Sequence, residues 1–188
     1  FSLSGIRPLS QLKEAPRGRM APLTNVLPNS AQVIKTALAL EKKREGQAYY
    51  LANRIRSIPE IHDRLEKLVP LLKKGIIHGG LSENEIIRVM REFRDKKIDV
   101  LISTTIIENG LDISSVNTLI VEDASRLGLA QAHQLRGRVG RGETQSFAYF
   151  MYPTRAKLTS AGEKRLDTLQ EMSYLGAGFD IARRDFEI

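Results

Sequence analysis

Apolar residues recur along the chain with two different periods. Val33, Ile34, Ala37 and Leu38 fall at helical spacing behind Ser30, a residue suited to cap a helix, and Gly46 is placed to stop it. Ser57 with Glu60 predicts a capping box, followed by Ile61, Leu65, Leu68 and Leu72 on one helical face to about Lys74. Ser82 with Glu85 predicts a second box, ahead of a helix that turns Ile86, Val89, Met90 and Phe93 inward. Residues 130–139 and 161–175 read as two further helices. Between these lie short runs of strand type: Leu23–Leu27, Ala48–Ala52, Ile76-Ile77, Val100–Ser103, Thr118–Val121 and Ser146–Tyr152, the last closed by Pro153. Val100–Ser103 and Thr118–Val121 are apolar at successive positions, as strands are when both faces of their sheet are covered.

Strand and helix alternate at least four times. That order predicts an α/β fold, a largely parallel sheet with helices on both faces. Ligands of such sheets bind beyond the carboxyl ends of the strands. The loops 78–82, 104–113 and 122–130 come after strands and are therefore the places to look for chemistry.

Composition narrows the picture. The 188 residues suit one domain, a size at which roughly 70% of the unfolded-chain surface is buried on folding. The first thirty residues carry four of the seven prolines and the basic turn Arg17-Gly18-Arg19, so they read as an extended lead-in. A start on Phe1 suggests a piece of something longer, and Phe1–Ser10 lacks the apolar core expected of a signal peptide. No apolar run approaches the roughly 18 residues that a membrane span needs. With no cysteine, disulfides, thiolate nucleophiles, zinc ribbons and iron–sulfur ligation are excluded. His62, His78 and His133 are too far apart in sequence to suggest a metal site, so none is expected. A net charge of +7 fits either a polyanionic partner or simply a soluble basic domain.

Two segments look built for phosphate, although no phosphate-cradling G-x-x-x-x-G-K-[ST] loop, G-x-G-x-x-G turn or Asp-Glu pair after a strand occurs. The first is Gln134-Leu135-Arg136-Gly137-Arg138-Val139-Gly140-Arg141-Gly142. Four arginines (126, 136, 138 and 141) and no acid lie between Ala124 and Gly142. If the segment stays helical, Arg138 and Arg141 share a face. Guanidinium forks onto phosphate oxygens, and the interleaved glycines allow a close approach. An Arg-rich helix end complementing its own dipole is the plainer alternative. The second is Ser103-Thr104-Thr105 with Gly110 and Asp112 beyond, hydroxyls and a carboxylate suited to a backbone phosphate and a sugar, or else ordinary loop residues.

Thr104-Thr105-x-x-Glu108-x-Gly110-x-Asp112-Ile113, succeeded after a strand by Gly128-Leu129-Ala130-Gln131-x-His133-Gln134-Leu135-Arg136-Gly137-Arg138-Val139-Gly140-Arg141, resembles motifs V and VI of superfamily-2 helicases and translocases. Arg126-Leu127-Gly128-Leu129-Ala130-Gln131 with His133 and Gln134 looks like the bacterial branch of RecG and the transcription-repair coupling factors, and Leu3-Ser4-Gly5-Ile6-Arg7 and Leu175-Gly176-Ala177-Gly178-Phe179 look more like the latter.

The resemblance implies a second RecA-like motor lobe (29–153), a lead-in from the preceding lobe (1–28) and a truncated helical hairpin of the translocation motif (154–188). It implies that Arg141 is an arginine finger with Arg138 its partner on the γ-phosphate of ATP. Gln134, Gly110 and Asp112 would lie near the nucleotide, and Thr104, Thr105, Arg54, His78 and Gly79 near the DNA backbone. ATP and Mg²⁺ would be held mainly by a first RecA-like lobe of the same protein. Double-stranded DNA, RNA polymerase and the excision-repair machinery are the partners implied, in the bacterial cytoplasm and away from membranes. Asn109 and Ser114 stand where the family usually has Thr and Pro; neither change removes a charge, so only local turn differences are expected. A RecG-type fork-remodelling lobe and a non-enzymatic DNA-binding module are the alternatives.

Overall fold

The computed structural model describes residues 21–104, 115–140, 143–171 and 173. In chain order the elements are β1 (Leu23–Pro28), α1 (Ala31–Lys43), β2 (Gln47–Leu51), α2 (Ile58–Leu68), β3 (Lys74–Ile77), α3 (Glu83–Arg94), β4 (Val100–Ser103), β5 (Val116–Val121), α4 (Leu129–Arg136), β6 (Phe147–Tyr152) and α5, helical over residues 160–171. The six strands form one sheet in the order β1-β6-β5-β2-β4-β3, and every pairing is parallel.

Two apolar layers cover this sheet. Along β2, Ala48 and Tyr50 face one layer, with Ile34, Ala37 and Leu38 of α1 and Ile58, Ile61 and Leu65 of α2. Tyr49 and Leu51 face the other, with Val89 and Phe93 of α3, Ala132 and Leu135 of α4, and Leu166 and Leu169 of α5. The period-2 alternation of a strand thus feeds two cores, which is why the central strands read as unbroken apolar runs. β2, β4 and β5 are buried at every position.

The helix signals succeed where the cap geometry permits. The Ser30 hydroxyl accepts from the Val33 amide at 3.2 Å and starts α1. At the other end Glu45 takes the left-handed turn (φ 61°), while Gly46 is needed for space: a Cβ there would lie 2.1 Å from Glu41 Oε2. Glu41 is 2% exposed and accepts from Thr118 at 2.6 Å and Arg44 at 2.7 Å, tying α1 to β5. Ser82 and Glu85 form the full reciprocal box. The Ser82 amide and hydroxyl donate to the Glu85 carboxylate and hold it below the usual range. The box is therefore complete above the ordinary carboxylate pKa and is lost as pH falls through that lowered value.

Three expectations are corrected. Ser57 makes no capping bond: it ends a 3-10 turn, Ile55–Ser57, so its backbone is already helical (φ −84°, ψ −16°), and Pro59 removes a donor it would have capped. α2 stops at Leu68, not near Lys74, because Pro70 comes two residues later; Leu72 still reaches the core, and Lys74 opens β3 while its Nζ donates to the Val69 carbonyl at 2.6 Å. The helix read over 130–139 ends at Arg136, with Gly137 as its cap. The end of the helix read over 161–175 lies outside the described residues. Replacing Ser82 with Ala should destabilise the chain by about 1 kcal/mol in urea melts, and Ser57→Ala by less than about half of that.

Candidate functional site

The register Leu51↔Ser103 and Ser103↔Ile77 sets the ends of β2, β4 and β3 level. The next residues of the three chains, Ala52, Thr104 and His78, therefore stand side by side at the carboxyl edge of the sheet. The Ala52 amide donates to the Ser103 carbonyl at 2.7 Å and extends the ladder by one step. Thr104 is 8% exposed. Two residues past Ala52, Arg54 begins the 3-10 turn and is exposed. His78 Nδ1 accepts from the Gly80 amide at 3.0 Å, which assigns the proton of the neutral ring to Nε2. At Gly79 even an added Cβ would meet nothing within 4 Å, so that turn is open to a ligand. Arg54, His78, Gly79 and Thr104 are thus brought to one edge. Thr105, Gly110, Asp112 and Arg141 lie outside the described residues.

Between β2 and β5 the winding reverses, because β2 leads through α2 toward β3 and β5 leads through α4 toward β6. Such a reversal leaves a crevice at the carboxyl ends. Here it measures about 220 Å³ and is lined by Asn29, Asn53, Arg54, Ser57, Glu122 and Arg126, among others. Two of its lining residues, Asn29 and Glu122, belong to a polar network that sequence reasoning missed. The Tyr50 hydroxyl donates to Glu122 Oε1 at 2.5 Å, and one Arg64 nitrogen donates to Tyr50 at 2.7 Å and to Glu122 at 2.6 Å. Asn29 adds a bond to the same carboxylate at 3.2 Å. Burial, and then the Glu122 charge, raises the Tyr50 pKa far above its ordinary value, so Tyr50 remains a hydroxyl. Burial opposes the charge on Arg64, but Tyr50 and Glu122 outweigh it and raise its pKa. A tyrosine inside one apolar run and a glutamate just past another were the only signals, and their pairing depends on which strands become neighbours.

The arginine run lies elsewhere. After α4 the chain passes through Arg138 and buried Val139 to Gly140, which has φ 74° and donates its amide to the Val116 carbonyl at 3.1 Å. Val116 opens β5, so this run sits at the amino end of the sheet, opposite Arg54 and His78. The three described arginines of this stretch, Arg126, Arg136 and Arg138, are therefore split by the fold. Arg126 stays at the carboxyl end, 3.5 Å from Asp123. Arg136 and Arg138 cross to the amino end, both half-buried. Burial alone lowers the Arg136 pKa, and no carboxylate among the described residues pairs with it. Gln134 is exposed on α4. The helix ends at Arg136, so the helical continuation on which a shared face for Arg138 depends is not met. The donors here, guanidinium and amide, suit an anionic phosphate. Among the described residues no group of three His, Asp or Glu is placed to hold a metal ion. No described helix is long and apolar enough to cross a membrane.

Residues 29–143 match the helicase conserved C-terminal domain. A transcription-repair-coupling factor of Myxococcus xanthus is 44% identical over all 188 residues, and the chain spans 16% of that relative's length. A transcription-repair-coupling factor of Staphylococcus epidermidis is 42% identical with the same coverage. The structure of RecG bound to a three-way DNA junction matches with a TM-score of 0.70 at 36% identity, over 90% of this chain and 22% of that one. The C-terminal domain of the DEAD-box protein Dbp5 matches with a TM-score of 0.60 at 19% identity, over 84% of this chain and 87% of that one, a likeness of fold alone. Replacing Glu122 with Ala would leave Arg64 and the Tyr50 hydroxyl without their shared acceptor, and should cost about 2 kcal/mol in urea melts.

Proposed function

Since the chain belongs to the helicase conserved C-terminal domain family, we propose that it is the second motor lobe of an ATP-driven double-stranded-DNA translocase of the transcription-repair-coupling type. The observation that carries this reading is the Gln134–Gly140 run, which brings Arg136 and Arg138 to the amino end of β5, while a separate polar edge forms at the carboxyl ends of β2, β4 and β3. One lobe can thus face a nucleotide and a nucleic acid through different surfaces. Identity of 44% over the whole chain supports the narrower assignment.

In this reading ATP is the substrate and lies between this lobe and a first lobe that carries the phosphate loop and Mg²⁺. Arg138 and Arg141 meet the γ-phosphate, Gln134 orients beside them, and Gly110 and Asp112 lie toward the ribose. Guanidinium neutralises charge that builds on the phosphoryl oxygens, and an arginine finger is worth roughly 10³–10⁵ in rate in comparable systems. Thr104, Thr105, Arg54, His78 and Gly79 hold the DNA backbone. Closure of the cleft on ATP and its opening after hydrolysis move the lobes along the duplex. Residues 1–28 lead in from the first lobe, 29–153 form the motor lobe, and 154–188 begin the translocation hairpin. The whole protein works in the bacterial cytoplasm, displaces stalled RNA polymerase and brings in excision repair through its other domains.

A RecG-type fork-remodelling lobe is the second reading, favoured by the match to RecG at 36% identity. The ATPase logic is common to both, and they part on whether the full-length protein dislodges a stalled polymerase or regresses a model fork. In the full-length protein, Arg141→Ala should lower DNA-stimulated ATP hydrolysis by about three orders of magnitude and leave duplex affinity nearly unchanged; wild-type turnover would sink the assignment. The isolated 188-residue chain should hydrolyse no ATP. It should bind duplex weakly, with log affinity falling against log salt by about 0.9 per phosphate contacted.

A further inference from the structure

Gln47, at the amino end of β2, is 2% exposed and uses its whole amide group inside the protein. Its Nε2 donates to the carbonyls of Phe93 at 2.6 Å and Ile98 at 2.7 Å. Its Oε1 accepts from the Ser115 hydroxyl, and its backbone amide donates to the Ser115 carbonyl at 2.9 Å. One side chain therefore ties together the end of α3, the entry to β4 and the entry to β5. The entry to β5 is distant in sequence from the other two, and this amide bonds to all three.

The entry to β5 is where such a tie is needed. Gln47 pairs with Val116 but Ala48 pairs with Thr118, so the register shifts by one residue and Asn117 is left over. A bulge breaks the regular ladder and re-aims the strand beside it, so Ser115 and Val116 pair with Gln47 outside the regular run that starts at Ala48 and Thr118. Those two residues have two neighbours of interest. Before them runs the 105–114 segment, with Gly110 and Asp112. On the Val116 carbonyl sits the Gly140 amide, two residues beyond Arg138. The irregular start of β5 is thus a footing of the Arg138–Gly140 run.

We infer that Gln47 is a positioning residue: through Ser115 it sets the start of β5, and through Val116 and Gly140 it sets the placement of Arg138. The inference rests on the reading of Arg138 as a γ-phosphate contact. Two donors and one acceptor on a neutral, planar group are what this junction requires. Glutamate would turn a carboxylate toward two carbonyl oxygens, and methionine of similar length supplies no donor.

The test uses the full-length protein with Gln47→Met, Ser115→Ala, Ser115→Thr and Arg138→Ala, measuring DNA-stimulated ATPase and melting temperature in parallel. Ser115→Ala removes a single hydroxyl and serves as the deciding variant should Gln47→Met fail to fold. Misplacing a transition-state contact should lower kcat by on the order of ten- to a hundredfold for Gln47→Met and Ser115→Ala. KM for ATP should change by less than about twofold, because uniform binding is untouched. Ser115→Thr, which keeps the hydroxyl, should restore most of kcat. On the 188-residue chain, Ser115→Ala should speed amide exchange at Gly140 but not at Leu119 or Ile120. Wild-type kcat in Ser115→Ala, or a loss that only tracks the unfolded fraction, would overturn the inference. If instead Arg138→Ala turns over like wild type, the motor-lobe reading itself fails; if Arg138→Ala is inactive while Ser115→Ala is normal, only the role of Gln47 falls.

Discussion

The parallel ladder around β2 is the constraint on which the rest of the molecule depends. A parallel pair cannot be closed by a tight turn, so each connection must cross a face of the sheet. With β4 on one side of β2 and β5 on the other, all running the same way, every carboxyl end gathers at one edge and every amino end at the opposite edge. All five residues of β2 are buried, so neither face can be left to water. The two apolar layers, the open crevice between β2 and β5 and the two separate polar surfaces are consequences of that arrangement.

Three polar side chains in this frame find their partners by joining elements. Glu41 fastens α1 to β5, Glu122 gathers Tyr50, Arg64 and Asn29, and Gln47 joins the end of α3 to the entries of β4 and β5. An unpaired buried polar group costs about as much as a typical mutation removes. Each of these residues therefore fixes geometry and not merely solubility. Glu122 sits by the crevice at the carboxyl edge and Gln47 at the amino edge, so the two surfaces of the lobe have separate polar anchors.

This separation gives a motor lobe its mechanical sense. In the proposed cycle, force has to pass between nucleotide and nucleic acid through something rigid. Six strands hydrogen-bonded in parallel, with cores on both faces, form a stiff plate between the two edges. α5 packs Leu166 and Leu169 into one of those cores, and the Arg165 guanidinium donates to the Ser125 carbonyl at 3.1 Å beside the crevice. α5 is therefore attached to the plate and placed to move with it.

Much of this was legible in the sequence, because it depends on local periodicity and short-range chemistry. The alternation of apolar runs gave the parallel α/β order; Ser30 and the Ser82–Glu85 pair gave two helix starts; the Gln134–Gly142 block carried the family resemblance. Ser57 misled because a 3-10 turn had already set its backbone, and Lys74 because Pro70 ended the helix before it. What only the tertiary structure decided was adjacency: that Tyr50 meets Glu122, that Gln47 reaches Ser115, and that Arg126 parts from Arg136 and Arg138 to the other end of the sheet. Periodicity is a property of neighbours along the chain, whereas these contacts depend on strand order and on a bulge in register, which residues far apart in sequence settle jointly when they pack.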